Sequence, residues 1–507
     1  MRIKNSIYNI ISNFSIFIVK TILTFIVRGI LIAKISQEYI GVNSLFANIL
    51  SILSLAELGI SSAIGFSLYK PLSNKNNKDI STLMVFYKKA YTVIGCVIFG
   101  LGLMIIPFLP LIVKESVNHI VIIYLLFLIN TTSTYFLSYK DILINSDQKA
   151  YLLTKINLIF TILIYGLEIL VLFSTKNYIL YLSVQFFLHI LQRWVINRYI
   201  TKRYPEIDFK CKNQLKDNTK KEIFINIKAM VYHKIGDCLI NSTDNIIISS
   251  FININVVAVY SNYLLVVSYL MSFANMFYNG ILASLGNLIV KENLEKKYDI
   301  FNKINFLGFT IFSFSSVILI NIFNDFIKVY AGDNYMLDFL TVIIIVVNFY
   351  ITGMRVPVAN MKSAAGLFDI DKHTPLIQSA INIFFSILLA KYMGLRGVLI
   401  GTFLSSILPS IQRPYLVYKH VLNRSSKEYF KRYIIYVFVT VFISIVTIFI
   451  NSLLGTSSRI LLLIEKIIIS MLIYLMIYLL MFYRKDEFKY FKTFIINSLK
   501  RRKANEE

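Results

Sequence analysis

Asn348, Arg355 and Lys362 recur every seven residues along an apolar run that reads FLTVIIIVVNFYITGMRVPVANMK. Seven residues make almost two helical turns, so the three would share one helical face to within about 40°. A guanidinium and an ammonium on one face can bind phosphate, the guanidinium through two parallel hydrogen bonds. Lys362, at the end of the run, could instead snorkel to an interface. Arg355 lies more than a turn deeper, where a charge calls for a wet, protein-lined cavity. Pro357, between the two, should weaken or kink the helix.

Three further stripes, and two single arginines, carry polar chemistry into apolar segments. His233, Asp237, Asn241 and Asp244 follow one another at four, four and three residues. Two carboxylates and an imidazole on one face could take up protons or a cation such as sodium, or could form a polar seam between helices. Lys20 and Arg28 stand two turns and about 80° apart, so both could border one lumen. Asn43, Ser54, Glu57 and Ser61 form another stripe, in which Glu57 serves either gating or a local salt bridge. Arg193 and Arg413 sit towards the ends of their runs. Snorkelling accounts for both, although either could help to recruit an anionic headgroup.

The elements that must hold these groups are membrane helices. Of the 507 residues, 57% are hydrophobic and only 16% are charged, too apolar a balance for a soluble chain of this size. A bilayer span takes about 20 apolar residues. About fourteen such stretches follow one another from 6–33 to 460–483, the second at 40–69, the seventh at 223–251 and the tenth at 337–366. YIIYVFVTVFISIVTIFI and IIISMLIYLMIYLLMFY are the cleanest. The net charge of +25 is spread unevenly over the gaps. Most Lys and Arg fall on the side that receives MRIK, KPLSNKNNKD, RYITKRYPEIDFKCKNQLKDNTKKE and KHVLNRSSKEYFKR. This positive-inside bias places both termini in the cytoplasm and explains the basicity without a nucleic-acid partner. The basic tail suits anionic membrane lipids. The 33 tyrosines and 40 phenylalanines suit lipid interfaces and packing, and some tyrosines could contact sugar. The three cysteines suggest no disulfide framework.

Self-similarity organises the runs. IGVNSLFANIL (40–50) aligns with VAVYSNYLLVV (257–267), KINLIFTIL (155–163) with AINIFFSIL (380–388), and LQRWVINRYI (191–200) with IQRPYLVYKH (411–420). The common offset of roughly 220 residues reads as a duplication. Each repeat then holds six spans, and an even number makes the repeats parallel. The expected fold is an all-α integral membrane protein with two parallel six-helix repeats plus a C-terminal helix pair. Its parts are an N-terminal lobe over 1–200, a cytoplasmic linker over 201–222, a C-terminal lobe over 223–425, a two-helix unit over 426–483 and a basic cytoplasmic tail over 484–507. The duplication sets Arg28 opposite Asn245, beside Asp244, so a buried Arg28–Asp244 pair is as good a reading as ligand binding.

No phosphate loop G-x-x-x-x-G-K-[ST] is present, so the chain itself should not hydrolyse ATP. H-E-x-x-H, C-x-x-C and G-x-S-x-G are also missing, which leaves no nominated catalytic or metal-binding residue and no cofactor, only proton or sodium coupling.

YIGVNSLFANILSILSLAELGISSAIGFSLYKPL, followed by YKKAY, and later RVPVANMKSAAGLFDIDKHTPLIQSAIN resemble the polysaccharide-transporter branch of the multidrug/oligosaccharidyl-lipid/polysaccharide (MOP) exporter superfamily. These are Wzx-type flippases of bacterial plasma membranes. The resemblance implies two six-helix lobes around a central cavity, alternating access, and an oligosaccharide on polyprenyl pyrophosphate as substrate, with a polysaccharide polymerase as a partner. It also implies a cationic cavity, which suits Arg28, Arg355 and Lys362, with Lys20 and Asn348 beside them. The acidic stripe departs from a purely cationic lumen. It leaves open a cation-coupled multidrug or metabolite antiporter of the same superfamily, and a peptidoglycan-precursor flippase is a third reading. A non-transporting membrane scaffold is a fourth.

Overall fold

The computed structural model describes residues 2–57, 60–211, 215, 223, 235–236, 238–240, 242–367 and 370–493. Among them the regular structure is helical, with no strand. Among the described residues twelve helical segments are long and apolar enough to cross a membrane, where a helix satisfies its backbone polar groups within the segment itself.

The helices run in order as α1 (Arg2–Lys34), α2 (Gln37–Leu53), α3 (Ile60–Ser73), α4 (Asn77–Ile105), α5 (Ile120–Leu137), α6 (Asp141–Ser146), α7 (Thr154–Thr175) and α8 (Tyr178–Arg203). They continue as α9 (Ile254–Lys291), α10 (Leu294–Ala331), α11 (Phe339–Met354), α12 (Val356–Ala364), α13 (Thr374–Met393), α14 (Leu395–Val417), α15 (Lys427–Ser452) and α16 (Arg459–Phe482). Two of the fourteen expected stretches do not appear as single described spans. The one over 40–69 is divided, because α2 gives way to a 3₁₀ turn at Ser54–Glu57 before α3 begins. The one over 223–251 lies largely outside the described residues, with its last part helical over 242–251.

Local chemistry sets several helix starts. The Asn177 side chain accepts from the backbone N–H groups of Ile179 and Leu180 at 3.0 and 3.1 Å. Asn293 accepts from Lys296 N–H at 3.0 Å, and Asp338 from Thr341 N–H at 3.1 Å. Each bond satisfies donors that the first turn leaves without a helical partner.

The chain divides into two compact units. The first comprises Met1–Ser261 and Pro375–Val398, and so includes most of α13. Within it α1 packs on α7, α7 on α8, and α5 on both α4 and α8. Its core gathers Leu83, Met84, Tyr87, Ile98, Leu143 and Ile200.

The second unit comprises Asn262–Thr374 and Leu399–Glu507. Here α10 packs against α11, α15 and α16. Close approach is built in, because a Cβ on Gly353 would stand 2.1 Å from Phe312 and one on Gly308 would stand 2.5 Å from Pro357. Hydrogen bonds fasten the last two helices. Ser313 meets Tyr474 at 2.6 Å, Thr310 meets Tyr478 at 2.7 Å, and Asn321 donates to Thr447 at 2.8 Å. Asn451 donates to Asn321 and to Ser470, both at 2.8 Å.

Candidate functional site

Helix α7 places Asn157, Thr161, Ile164, Tyr165 and Glu168 on one face, at spacings of four, three, one and three. Helix α8 repeats the same spacing with Gln185, His189, Gln192, Arg193 and Ile196. The two are joined by a short turn and run antiparallel, so the faces meet head to tail. Together with residues of α1, α5 and α6 they enclose a cavity of about 770 Å³ within the first unit. Lys20 enters from α1, Asn130, Thr131 and Thr134 from α5, and Asp141 and Asn145 from α6. From Thr154 to Glu168 the cavity follows α7 for about 21 Å at 1.5 Å per residue.

Most polar groups along this wall are paired. Arg193 donates from Nη1 to Asp141 Oδ2 at 2.7 Å. Gln192 donates to Asn157 Oδ1 at 3.1 Å, and His189 Nδ1 lies 3.4 Å from Asn130 Oδ1. Thr24 and Tyr165 share a hydrogen bond of 2.8 Å. Burial pushes the Asp141 carboxyl up from its ordinary value, and the Arg193 guanidinium opposes that shift.

Two groups of opposite charge stand apart from this pattern. Lys20, exposed on the wall, makes no hydrogen bond or ion pair among the described residues. Glu168 is 1% exposed, and neither carboxylate oxygen has a hydrogen-bond partner among the described residues. The Gln185 carboxamide lies close by but outside bonding geometry.

The other residues singled out in the sequence occupy several places. In the first unit Arg28 is 8% exposed and donates to Ser261 Oγ at 2.5 Å. It lies within electrostatic reach of Tyr178 and Tyr181. Glu57 accepts a hydrogen bond from the Tyr91 hydroxyl, so its carboxylate is held within the α2–α4 region. Asp244 lies near Tyr260. His233, Asp237 and Asn241 lie outside the described residues.

In the second unit Arg355 is the break itself. It ends α11 and begins α12, with Pro357 in the first turn of the new helix. Its Nη2 donates to Thr352 Oγ1 at 3.2 Å, and its charge bears on Tyr433. Asn348 donates to the Leu399 carbonyl at 3.0 Å, tying α11 to α14. The Lys362 ammonium neither faces an open lumen nor snorkels. It is buried against Asp371, with contacts of 2.5 and 2.6 Å to the two carboxylate oxygens, while Arg413 Nε approaches the same group at 3.5 Å. Asp371, nine residues on, thus holds the ammonium that the sequence spacing had set along a lumen. A smaller cavity of about 270 Å³ in this unit contains the Lys466–Asp325 pair, 2.6 Å apart.

Sequence reasoning missed Glu168, His189 and Gln185, although a signal was present. Glu168 is the one charged residue between Lys155 and Lys176, and Gln185, His189, Gln192 and Arg193 form a stripe at helical spacing. Among the described residues no three His, Cys, Asp or Glu side chains gather as a metal site would require.

No protein-family model matches the chain, and no curated protein sequence matches it. Solved structures match its fold. The lipid II flippase MurJ, in an inward closed conformation, superposes with a TM-score of 0.64 at 16% identity, over 95% of this chain and 99% of that one. An inward-facing multidrug resistance MATE family transporter of the MOP superfamily gives 0.63 at 15% identity, over 80% and 97%. A point mutant of the Vibrio cholerae MATE transporter VcmN gives 0.57 at 12% identity, over 80% and 94%. The chain is therefore an all-helical, multi-pass membrane protein with the fold that MATE transporters and MurJ share.

Proposed function

We propose that the protein moves an oligosaccharide linked to polyprenyl pyrophosphate from the inner to the outer leaflet of a bacterial plasma membrane by alternating access. The product would feed surface polysaccharide assembly, whether O-antigen, capsule or exopolysaccharide. The observation that carries this reading is the presence of cations on spanning helices beside a large polar cavity, with Lys20 on its wall and Arg28 in the same helix. A pyrophosphate cannot enter hydrocarbon unpaired, because the desolvation cost is prohibitive. Arginine and lysine side chains replace its water with charge-assisted hydrogen bonds, while the polyprenyl tail remains in lipid. Arg355 offers the same chemistry at the helix break of the second unit.

The extent of the structural likeness supports a lipid-linked cargo over a drug. The match to the lipid II flippase covers 95% of this chain, against 80% for the MATE transporter. In this reading both termini are cytoplasmic, the protein is no enzyme, and a polymerase takes up the exported unit.

The test is a deletion strain complemented with wild-type or Arg355→Ala protein. We expect the lipid-linked intermediate to accumulate on the inner leaflet of the deletion strain. The wild type should restore polymer, whereas Arg355→Ala should reach the membrane folded and restore none. Normal polymer with Arg355→Ala rejects that residue's role, and no accumulation in the deletion strain rejects the substrate class. The MurJ likeness also favours a second reading, a peptidoglycan-precursor flippase, which requires that the gene be essential. Drug sensitivity on deletion, with polysaccharide intact, would indicate an antiporter.

A further inference from the structure

The last helix pair, α15 and α16, encloses with α10 and α11 the cavity of about 270 Å³ in the second unit. Helices α10 and α15 end beside it and α11 and α16 begin there, so it lies towards one face of the membrane. Phe339 and Ser452 are exposed, Asn324, Asp325 and Lys466 are half-buried, and Asn451 is 5% exposed. The mouth is therefore at Phe339 and Ser452, and the closed end is at Asn451. At about 30 Å³ for each water, the space holds about nine, enough for one small ring and not for a chain.

The carboxamides at the closed end have fixed orientations. Asn321 Nδ2 donates to the Val317 carbonyl at 2.7 Å and to Thr447 Oγ1 at 2.8 Å. A carbonyl only accepts, so Asn321 must turn its own oxygen towards Asn451. Asn451 then spends both of its N–H groups, on Asn321 Oδ1 and on Ser470 Oγ, each at 2.8 Å. Its Oδ1 is left buried without a hydrogen-bond partner among the described residues. A buried orphan of this kind is rare in a folded protein and calls for a donor from outside the chain. Asn324 does not supply one, because it is committed to Tyr263 and to the Leu337 carbonyl.

Charge in this cavity is already balanced. Lys466 Nζ donates to Asp325 Oδ2 at 2.6 Å, so an anion would meet the carboxylate and a cation the ammonium. The fitting ligand is uncharged and donates hydrogen bonds, with Asn451 Oδ1 and Asp325 Oδ1 as acceptors. Adjacent hydroxyls meet that need, and Lys466 keeps further N–H groups to donate to a hydroxyl oxygen. Ile320, Val342 and Ile448 complete the wall, giving the mixture of apolar surface and few polar groups that small-molecule sites use. We infer that this cavity binds a vicinal diol, that of one saccharide unit, held by Asn451 and Asp325 and covered on its C–H face by the Phe339 ring. The same chemistry could come from the glycerol headgroup of a phospholipid. The site lies within the second unit alone and does not depend on what the protein carries.

The test uses the full chain in phosphatidylethanolamine nanodiscs, with Cys96, Cys211 and Cys238 replaced by serine and Ser452→Cys as a reporter at the mouth. Labelling by a hydrophilic maleimide is timed alone and with methyl hexosides, glycerol or inorganic phosphate. Hexosides should slow the reaction severalfold and phosphate should not. Ser457→Cys, exposed in the loop between α15 and α16, should react at an unchanged rate. Protection should be lost when Asn451→Leu or Phe339→Ala is added. Asn451→Leu also loosens the helix seam, so Phe339→Ala, at an exposed position, separates lost binding from lost folding. Nanodiscs containing phosphatidylglycerol distinguish the sources. Slowing by that lipid without added sugar assigns the diol to a headgroup, and slowing by hexosides alone assigns it to a saccharide. The inference is overturned if no hexoside, glycerol or phosphatidylglycerol protects Ser452→Cys, which would leave a water-filled cavity. It is also overturned if phosphate protects, if Ser457→Cys is slowed equally, or if protection survives Phe339→Ala. Protection in a protein whose deletion leaves lipid-linked saccharides undisturbed would sink the transport reading and leave this one standing.

Discussion

Three residues in the second unit illustrate how charge is settled at close range. Asp371 serves two cations, Lys362 at 2.5 Å and Arg413 at 3.5 Å. Removing one partner of a buried pair costs about 3–5 kcal/mol, because the survivor is left uncompensated. Asp371→Ala strands two cations, whereas Lys362→Ala leaves the carboxylate with Arg413. Thermal unfolding in detergent should therefore fall further for Asp371→Ala than for Lys362→Ala. A similar argument gives a pH dependence at Asp141. Its folded value lies above the unfolded one, so ionisation works against folding as pH rises through the folded value. Arg193 opposes that shift. The loss of thermal stability between acidic and neutral pH should be steeper in Arg193→Gln and flattened in the Asp141→Asn/Arg193→Gln double variant. Arg355 was legible from sequence because a charge within an apolar run announces itself. The partner of Lys362 was not, because spacing along a helix does not reveal which later carboxylate a turn will fold back.

At the scale of elements, the joint between α11 and α12 combines a proline with two glycines. Pro357 lacks the N–H that a continuous helix would need, and Gly308 and Gly353 let α10 close on the break. Gly353→Ala would drive a methyl into the Phe312 ring, and overpacking of this kind costs about 1–3 kcal/mol. A Cβ added at Gly280 would meet nothing within 4 Å, so Gly280→Ala should be neutral or stabilising by about 0.5–1 kcal/mol. The two melting temperatures should move in opposite directions, or only Gly353→Ala should fall. Hydropathy located the apolar stretches well, since it measures how greasy a segment is. It could not place the break between α2 and α3, where the side chains stay mostly apolar while the backbone tightens at Ser54–Glu57. Cap residues such as Asn177 and Asp338 were legible in principle, because side-chain chemistry alone sets them.

For the whole molecule, the grouping of α13 with the first unit means that compact units and chain order do not coincide residue for residue. A repeat read along the chain cannot foresee that. The last helix pair is fastened to α10 by the Asn321–Thr447 and Asn451–Asn321 bonds and held together by the Asn451–Ser470 bond, each worth about 0.6 kcal/mol in a membrane protein and about 1–2 in model peptides. Truncation before Lys427 should therefore lower the yield of monodisperse protein in detergent, and Asn451→Leu should lower the melting temperature of the full chain. The reach of the first unit's cavity, about 21 Å along α7, also has an electrical consequence. Water and ions conduct, so voltage does not drop evenly through a bilayer that is hollowed from one side. It concentrates across the insulating remainder beyond Glu168. A charge crossing the whole field gains about 2.3 kcal/mol per 100 mV, and most of that drop would then lie past a single carboxyl group. A charge moving within the cavity would then cross little of the field, and one passing beyond Glu168 would cross most of it.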